Sequence, residues 1–288
     1  MKHYFLYNPI AGNGKCAEIL NTLPESKYQN MVCCDLTEID DIESFVSNID
    51  SEDKIIICGG DGTLNTFINA VNTDKSDNEI YYYPAGSGND FVNDLGLDNI
   101  SQPIKINDYI ENLPVATING KERKFFNGIG YGIDGYVCAE GDRLRRLKGK
   151  PINYTLVALK GLIYAFKPVN ATVTVDGKEF KYKKVWLVPT MKGRLFGGGM
   201  KIAPMQDRFN QDGSLSILIA HDLSKPKITA LFLTIFKGEH IKFKKNVTVH
   251  TGKEVKVVFD RPCPMQIDGE PIDNIIEYSV TAKSFITK

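Results

Sequence analysis

The sequence lacks a long hydrophobic run, a net charge and any repeat, and each absence excludes a class of protein. The longest apolar stretches, at 154–166 and 228–236, are too short to span a bilayer. Lysine plus arginine (35) equals aspartate plus glutamate (35), so no overall field attracts nucleic acid. Residues 1–10 indicate a strand and show none of the basic, apolar and cleavage regions of a signal peptide. We therefore expect a globular cytoplasmic protein without a nucleic-acid partner.

Cysteines are few and form no recognisable framework. There is no C-x-x-C pair, and no cysteine and histidine cluster has zinc spacing. The six residues are Cys16, Cys33, Cys34, Cys58, Cys138 and Cys263. We expect reduced, partly buried thiols.

The first hundred residues alternate short strands with short helices. Strands are predicted at 3–7, 31–36, 54–58 and 79–83, and helices at 16–23, 40–49 and 64–71. This alternation predicts an α/β domain, with a parallel sheet that is covered on both faces.

Strand patterns dominate after about residue 115. Strands are predicted at 115–118, 171–175, 184–189, 214–220, 247–250, 254–259 and 275–282, with one helical stretch at 139–166. Asp176-Gly177 favours a type I′ hairpin turn. We predict two domains, 1–118 and 119–288, the second a mainly antiparallel β-sandwich whose last residues could pack back on the first. No long linker separates them, so a cleft between the domains is expected to hold the active site.

The strongest local motif is Gly-Gly-Asp-Gly-Thr-Leu-Asn at 59–65, which follows a strand and precedes a helix. Glycines there let backbone N–H groups approach an anion, and the helix N-terminus adds partial positive charge. Asp61 is suited to hold a divalent cation or to polarise water. The alternative is an ordinary capped turn, but three glycines in four residues exceed what a cap needs.

Two further glycine turns follow strands. Gly-Ser-Gly-Asn-Asp lies at 86–90, and Asn-Pro-Ile-Ala-Gly-Asn-Gly-Lys at 8–15 matches neither G-x-G-x-x-G nor a Walker A sequence. Turns at the carboxyl ends of parallel strands lie on one edge of a sheet, where they can face one polyphosphate. A helix cap would equally explain the turn at 86–90.

Together these motifs resemble the catalytic domain of the diacylglycerol kinase family, which includes sphingosine, ceramide and bacterial lipid kinases. The resemblance covers nearly the whole chain. Its segments are Asn8-Pro9, Thr37, 59–65, 86–90, 127–134, 196–200 with Pro204, 212–215 and 267–270. The GGDGT motif alone is shared with NAD kinases and phosphofructokinases, whereas GSGND and the late Asp-Gly-Glu favour lipid kinases.

The resemblance implies an N-terminal Rossmann-like nucleotide domain and a C-terminal β-sandwich, with ATP and Mg²⁺ as cofactors. The residues expected to contact the nucleotide are Asn8, Pro9, Ile10, Ala11, Gly12, Thr37, Gly59, Gly60, Asp61, Gly62, Thr63, Leu64, Asn65 and Ser87.

The same resemblance assigns the chemistry to acidic residues. Glu270 matches the proton acceptor, Asp268 its acidic neighbour, and Asp61 is counted with them as catalytic. The positions that match metal ligands are Asp61, Asp90 and Asp134 for Mg²⁺, and Asp212 with oxygens of Asn210 and Ser214 for a second, structural cation. If Asp268 and Glu270 lie in one strand, they share a face. The alternative is a hairpin turn with acidic ends.

The sequence departs from the family pattern at a few positions. Thr66 replaces a Glu, Ala70 a Gly, and Ser216 the final Asp of the cation loop, which weakens the prediction of a structural metal. Gly135 stands where Ala is common, which we take as a minor change. None of these is an assigned catalytic residue, so an active enzyme is predicted.

We predict an ATP- and Mg²⁺-dependent lipid kinase, with diacylglycerol as acceptor by family analogy. Two alternatives stay open, an NAD kinase-like enzyme and a catalytically silent lipid- or nucleotide-binding protein. The basic stretch from Arg143 to Lys150 either faces anionic lipid headgroups or is a solvated helix face. The enzyme would then visit the inner face of the membrane peripherally, and exposed sheet edges could support a homodimer.

Overall fold

The chain divides into two compact units. The computed structural model describes residues 1–9, 11–22, 30–97, 100, 102–148 and 152–284. The units are Met1–Leu113 and Pro114–Lys288. The sequence placed 114–118 in the first domain, but strand β6 (Val115–Ile118) belongs to the second sheet, where it pairs with 279–281. Pairing of backbone groups, which the sequence pattern does not show, therefore moves the boundary to 113/114.

The first unit is an α/β domain. Its strands are β1 (His3–Tyr7), β2 (Met31–Asp35), β3 (Lys54–Gly59), β4 (Glu79–Pro84) and β5 (Ile104–Lys105). Its helices are α1 (Lys15–Thr22), α2 (Ile42–Ser47), α3 (Asp61–Ala70), α4 (Asp90–Asp94) and α5 (Asn107–Ile110). The strand order is β2-β1-β3-β4-β5, parallel except for β5.

The predicted elements of this unit are confirmed to within a few residues. The central strand β3 is buried throughout its apolar run at 55–58, as expected for a strand covered on both faces. Helix α3 buries Leu64, Phe67 and Ile68. It begins three residues before the predicted start, because the extended backbone of Gly60 serves as its N-cap.

The second unit is an antiparallel β domain with three α-helices in its described part. Its strands after β6 are β7 (Lys121–Lys124), β8 (Gly128–Tyr131), β9 (Val169–Val175), β10 (Lys178–Val185), β11 (Thr190–Met191), β12 (Leu215–Ala220), β13 (Val247–Gly252), β14 (Glu254–Ile267) and β15 (Glu270–Thr281). Its helices are α6 (Ile133–Lys148), α7 (Tyr154–Lys160) and α8 (Lys225–Ile235). The main strand order is β13-β12-β11-β8-β14-β15-β6-β7, and β9 joins β14 on one side and β10 on the other.

Strand β14 connects the two halves of this domain, because its two ends pair with different strands. Its first half pairs with β9 through 255–259, and its last three residues, 265–267, pair with β8. The pairing with β15 is irregular between 258 and 265. Such irregularities bend a strand and let it serve two sheets of a sandwich.

Several predictions for this unit need correction. The strand predicted at 184–189 ends at Val185, and beyond it only Leu187 forms isolated bridges. The helical stretch predicted at 139–166 begins earlier, at Ile133, and is divided into α6, α7 and a π-helical segment Gly161–Ala165. The Asp176-Gly177 hairpin is confirmed, since both residues have positive φ (48° and 78°) and β9 pairs with β10 around them.

Aromatic side chains fill the core of the second unit. Tyr131 stacks on Phe259 with ring centroids 3.7 Å apart, and Tyr278 meets Tyr131 edge-on at 5.6 Å. Trp186 is buried and donates its indole N–H to the carbonyl oxygen of Leu223 (3.0 Å). Tyr131 is on β8 and Phe259 on β14, so their stacking joins the two strands that lead to the residues described below.

Within the described residues, no helix combines the length and apolar character needed to cross a bilayer.

Candidate active site

Three glycine turns of the first unit are in contact at the carboxyl edge of the sheet. A Cβ on Gly12, after β1, would lie 1.8 Å from the carbonyl oxygen of Ala85, after β4. A Cβ on Gly60, after β3, would lie 3.2 Å from the Cα of Gly86. The turns approach so closely because these positions carry no side chain. The predicted gathering of the three turns on one edge is therefore confirmed.

Asp61 joins two of these turns. Its carboxylate accepts hydrogen bonds from the backbone N–H groups of Asp90 (2.9 Å) and Phe91 (3.3 Å). Asp61 thus binds the first turn of α4, whereas its own helix α3 starts from Gly60 without a side-chain cap. A carboxylate is fixed between the two glycine turns, and the buried Asp90 lies beside it.

The other residues predicted to contact the nucleotide lie in or near these turns, and they differ in how exposed they are. Leu64 and Asn65 are fully buried in α3, so neither residue is exposed at the surface of the turns. Thr37 follows β2, and its N–H and hydroxyl both donate to Asp35 Oδ1 (2.8 and 2.7 Å). Ser87 is exposed on the turn after β4. The remaining positions are Asn8, Pro9, Ala11, Gly59, Gly62 and Thr63 in the turns themselves, whereas Ile10 lies outside the described residues.

A small cluster of buried apolar residues packs next to the glycine turns. Cys16, Cys58 and Ala85 are buried together, and the Cys16 thiol donates to the carbonyl oxygen of Cys58 (3.2 Å). The hydrogen bond from Cys16 and burial raise the pKa of the Cys58 thiol well above its usual range. All six cysteines are free thiols, as the sequence predicts.

Asp268 of the second unit lies in a hairpin turn rather than in a strand. Asp268 and Gly269 both have positive φ (46° and 92°), and Ile267 pairs with Glu270 across the turn. Of the two alternatives that the sequence left open, the hairpin turn is confirmed, so Asp268 and Glu270 do not share a strand face. Glu270 is the first residue of β15 and its side chain is exposed.

The Asp268 carboxylate is buried and anchors a neighbouring segment. It accepts hydrogen bonds from the backbone N–H groups of Phe126, Asn127 and Gly128, each at 2.9 Å. Its own N–H donates to the carbonyl oxygen of Gly128 (3.0 Å). A carboxylate that accepts several N–H groups is strongly held in place. Asp268 therefore positions the turn that presents Glu270.

Gln266 connects this turn to Asp134, a connection that the sequence did not reveal. Its side-chain oxygen accepts the N–H of Gly269 (2.7 Å), and its side-chain nitrogen donates to Asp134 Oδ2 (2.8 Å). Gln266 is only 2% exposed. A glutamine at the end of a strand does not by itself indicate a functional role, because its partner Asp134 is distant in sequence.

Two glycines make room for Asp134 at the start of α6. A Cβ on Gly130 would lie 1.4 Å from Asp134 Oδ2. A Cβ on Gly135 would lie 2.2 Å from the carbonyl oxygen of Pro264. Gly135 is thus not a minor departure, because it lets the first turn of α6 press directly against the backbone of β14.

Arg208 and Lys192 are buried cations that the sequence analysis missed. Arg208 donates to the carbonyl oxygen of Phe126 and to Asn127 Oδ1 (2.8 Å), which fixes the segment that Asp268 also holds. Burial, followed by the nearby Arg208 charge, lowers the pKa of Lys192 to about 8. Neither residue lies in a motif, and both residue types are ordinarily found on the surface.

The acidic residues of the first unit fit a Mg²⁺ that is carried by phosphate. Mg²⁺ in kinase sites typically takes one or two carboxylates plus phosphate oxygens and water. Asp61 and Asp90 supply such carboxylates beside the glycine turns. No group of three or more His, Cys, Asp or Glu side chains able to hold an ion occurs within the described ranges. These two carboxylates could hold the ion of a metal–nucleotide complex.

The loop around Asp212, where the sequence suggested a structural cation, is closed by hydrogen bonds from neutral groups, while the buried Asn210 Oδ1 has no hydrogen-bond partner among the described residues. The carbonyl oxygen of Ser214 already accepts hydrogen bonds from the side-chain amides of Asn210 (2.7 Å) and Gln206 (3.0 Å). Ser216, where the family has an Asp, donates its hydroxyl proton to the oxygen of the same Gln206 amide (2.6 Å). Neutral amide and hydroxyl groups therefore hold this loop together.

Both units of the chain are similar to known proteins. Residues 2–119 match the diacylglycerol kinase catalytic domain, and residues 127–280 match the YegS C-terminal NAD kinase beta sandwich-like domain. A diacylglycerol kinase of Mycobacterium tuberculosis is 28% identical over 228 residues, which cover 74% of this chain and 72% of the relative. A diacylglycerol kinase of Bacillus subtilis is 24% identical over 278 residues, covering 92% and 88%.

A solved structure has the same fold. The crystal structure of a diacylglycerol kinase from Bacillus anthracis superposes with a TM-score of 0.61 at 18% identity, covering 98% of this chain and 94% of the other. The two family models together match nearly the whole chain, the catalytic domain first and the sandwich-like domain second. The chain belongs to the diacylglycerol kinase family of lipid kinases.

Proposed function

We propose that this protein is an ATP- and Mg²⁺-dependent lipid kinase that phosphorylates the hydroxyl group of diacylglycerol to give phosphatidic acid. The observation that carries the proposal is the contact between three glycine turns at one sheet edge, with the Asp61 carboxylate fixed between two of them. Backbone N–H groups beside a carboxylate suit a magnesium–polyphosphate complex.

The first unit binds the nucleotide in this proposal. The turn at 59–62 and the N-terminus of α3 offer N–H groups and partial positive charge to the phosphates. The residues proposed to hold Mg²⁺ are Asp61, Asp90 and Asp134, and the bound ion would neutralise charge on the transferred phosphoryl group. Gly12, Gly60 and Gly86 keep the turns close enough to face one ligand.

The second unit supplies the proton acceptor. Glu270 takes the hydroxyl proton as the lipid oxygen bonds to the γ-phosphorus, and the bond from that phosphorus to the β–γ bridging oxygen breaks to release ADP. Asp268 and Gln266 hold the turn from which Glu270 projects. Their role is to position this turn, since their hydrogen bonds go to the protein itself.

Diacylglycerol as acceptor is supported by the names of similar proteins. Both relatives described above are called diacylglycerol kinases and cover most of the chain. Acceptor choice depends on pocket shape, so sphingoid bases, other neutral lipids and phosphatidylglycerol belong in the same test. We place the enzyme in the cytoplasm, where it works at the inner face of the membrane.

The test is transfer of labelled γ-phosphate from ATP to a panel of lipids in mixed micelles. Wild type is compared with Glu270→Gln, Asp61→Asn and the control Glu277→Gln. Glu277 lies on the same strand as Glu270, is exposed and pairs only with the exposed Lys256. We expect labelled phosphatidic acid from wild type and control, and a loss of at least about 100-fold in both other variants.

The alternatives give different products. Labelled NADP from NAD, with no labelled lipid, would replace the proposal with an NAD kinase-like function. Nucleotide binding without transfer to lipid or NAD would indicate a silent binding protein. Equal activity of wild type and Glu270→Gln would refute the assigned proton acceptor while leaving the kinase function intact.

A further inference from the structure

The end of strand β2 presents a carboxylate beside the first glycine turn. Asp35 is the last residue of β2 and pairs in register with Tyr7, the last residue of β1. The turn at 8–15 begins directly after Tyr7. Because neighbouring strands lie about 4.8 Å apart, Asp35 is one strand away from a turn that contacts the nucleotide in the proposed function.

Tyr7 connects Asp35 to the residues that pack next to the other turns. Its partly buried side chain packs against the cluster of Cys16, Cys58 and Ala85. Cys58 precedes the turn at 59–62, and Ala85 precedes the turn at 86–90. Paired residues of adjacent strands point to the same face of a sheet, so Asp35 lies on the same face as Tyr7, at the carboxyl edge that carries the turns.

The two oxygens of the Asp35 carboxylate differ in their hydrogen bonds. Oδ1 accepts the N–H (2.8 Å) and the hydroxyl (2.7 Å) of Thr37. In the part of the chain that the structure describes, Oδ2 accepts no hydrogen bond, and no lysine, arginine or histidine pairs with Asp35. The residue is partly exposed. Thr37 therefore fixes the orientation of the carboxylate, and the second oxygen is available to accept a hydrogen bond from a ligand.

The negative charge of Asp35 decides which part of a nucleotide fits beside it. A carboxylate repels phosphate groups and accepts hydrogen bonds from O–H groups. The ribose is the group next to the phosphates, and it carries hydroxyls at its 2′ and 3′ positions. In dinucleotide-binding domains an acidic residue about 20 positions after the glycine turn, at the end of the strand beside the first, binds a ribose hydroxyl. Asp35 follows Gly14 at a similar spacing and on the corresponding strand.

We propose that Asp35 binds the ribose hydroxyls of the nucleotide and thereby selects ribonucleotides over nucleotides that lack these hydroxyls. Oδ2 accepts from the sugar, while Oδ1 keeps Thr37, a residue predicted to contact the nucleotide, in place. Asp35 acquires this role only if the glycine turns bind a nucleotide, so the proposal rests on the proposed function.

The test is calorimetric titration of the full chain, without lipid, with the magnesium complexes of ATP and of 2′,3′-dideoxy-ATP. Asp35→Ala is compared with Glu38→Ala, which removes the same charge from an exposed position nearby. We expect wild type and Glu38→Ala to bind ATP at least about tenfold more tightly than the dideoxy compound. In Asp35→Ala this preference should fall to about threefold or less.

A purely electrostatic role of Asp35 gives a different result. Removing the carboxylate would then strengthen the binding of both nucleotides equally, because the phosphates are repelled less. An unchanged preference for ATP in folded Asp35→Ala would therefore overturn the proposal. So would a loss of discrimination between ATP and inosine triphosphate with the ribose preference intact, since the carboxylate would then bind the adenine amino group.

A second variant decides the matter if Asp35→Ala does not fold. Asp35→Asn keeps an oxygen for the two Thr37 donors and removes only the charge. Because hydrogen bonds to a charged acceptor are about twice as strong as neutral ones, the preference for ATP should fall by at least about threefold. Circular dichroism and thermal unfolding check the fold of each variant. An undiminished preference in folded Asp35→Asn would overturn the proposal.

Lipid phosphorylation assays separate the role of Asp35 from the proposed function. Lipid phosphorylation by a wild type that binds ATP and dideoxy-ATP equally well would keep the kinase and overturn the ribose contact. A preference for ATP that depends on Asp35, with no lipid phosphorylated, would keep the ribose contact and refute the proposed function. A wild type that binds neither nucleotide would refute both.

Discussion

Replacing Asp268 by asparagine should destabilise the second unit strongly. The carboxylate accepts three backbone N–H groups and is 7% exposed. An asparagine offers one oxygen, so in its best orientation it accepts from Asn127 and Gly128 and turns its NH₂ group toward the N–H of Phe126. A hydrogen bond to a buried charged group contributes about 1.5–3 kcal/mol, and a buried N–H left without an acceptor adds to the cost. We expect a loss of about 3 kcal/mol.

The assay is thermal and urea unfolding, with Asp176→Asn as the matched control. Asp176 precedes Gly177 in the same kind of turn, but it is exposed and one of its oxygens accepts both the Lys253 and Glu254 N–H groups (2.9 and 2.8 Å). An asparagine keeps that oxygen and also favours the turn.

For a domain of this size, 1 kcal/mol shifts the midpoint by about 2–4 °C, so Asp268→Asn should unfold roughly 6–12 °C lower. The control should change little. Equal midpoints for the two variants would refute the assignment of Asp268 as a buried anchor.

Three further predictions concern the buried and closely packed positions. Burial lowers the pKa of Lys192 from 10.5 to about 8, so between these pH values the unfolded chain holds a proton that the folded chain has released. The free energy of unfolding should therefore rise with pH in this range, by at most about 1.4 kcal/mol per pH unit. Urea titrations should show a flatter dependence of the unfolding free energy on pH for Lys192→Met. Gly135→Ala should cost about 1–3 kcal/mol in the same assay because its Cβ meets the carbonyl oxygen of Pro264, whereas Gly141→Ala in the same helix meets only a movable tyrosine ring; equal costs would contradict this. A chelator should leave the unfolding midpoint of the nucleotide-free protein unchanged, because amides close the Asp212 loop, and a fall that Mg²⁺ reverses would instead establish the structural cation.

The sequence predicted the first unit well because its elements are short and sharply bounded. The parallel strands are short runs rich in apolar residues, three of them end at aspartate, glycine or proline (β2, β3 and β4), and helices occupy the intervals. The glycine turns could be placed on one edge from topology alone, since parallel strands end together. That Gly12 faces Ala85, or that Asp61 binds the N–H of Asp90, depends on distances that no local pattern specifies.

Prediction was weaker in the second unit because its pairings join distant residues. Strand β14 runs through an irregular stretch that looks like two separate elements in the sequence, and only its first part was predicted. Gln266 and Arg208 gain their roles from partners 132 and 81 residues away, Asp134 and Asn127. In the basic stretch of α6, Arg143 pairs with Glu140 and Arg145 with Asp142, two contacts that the sequence pattern does not specify.

The two Asp-Gly turns show which features the sequence specifies and which depend on the tertiary structure. By itself the sequence predicted a turn at Asp176-Gly177 and left a turn at Asp268-Gly269 as one of two alternatives; both turns form with positive φ, which these residue types accept. Only the tertiary structure decided that the first is an exposed hairpin tip. The second is a buried anchor, because folding brings the N–H groups of 126–128 to the Asp268 carboxylate and excludes water from it.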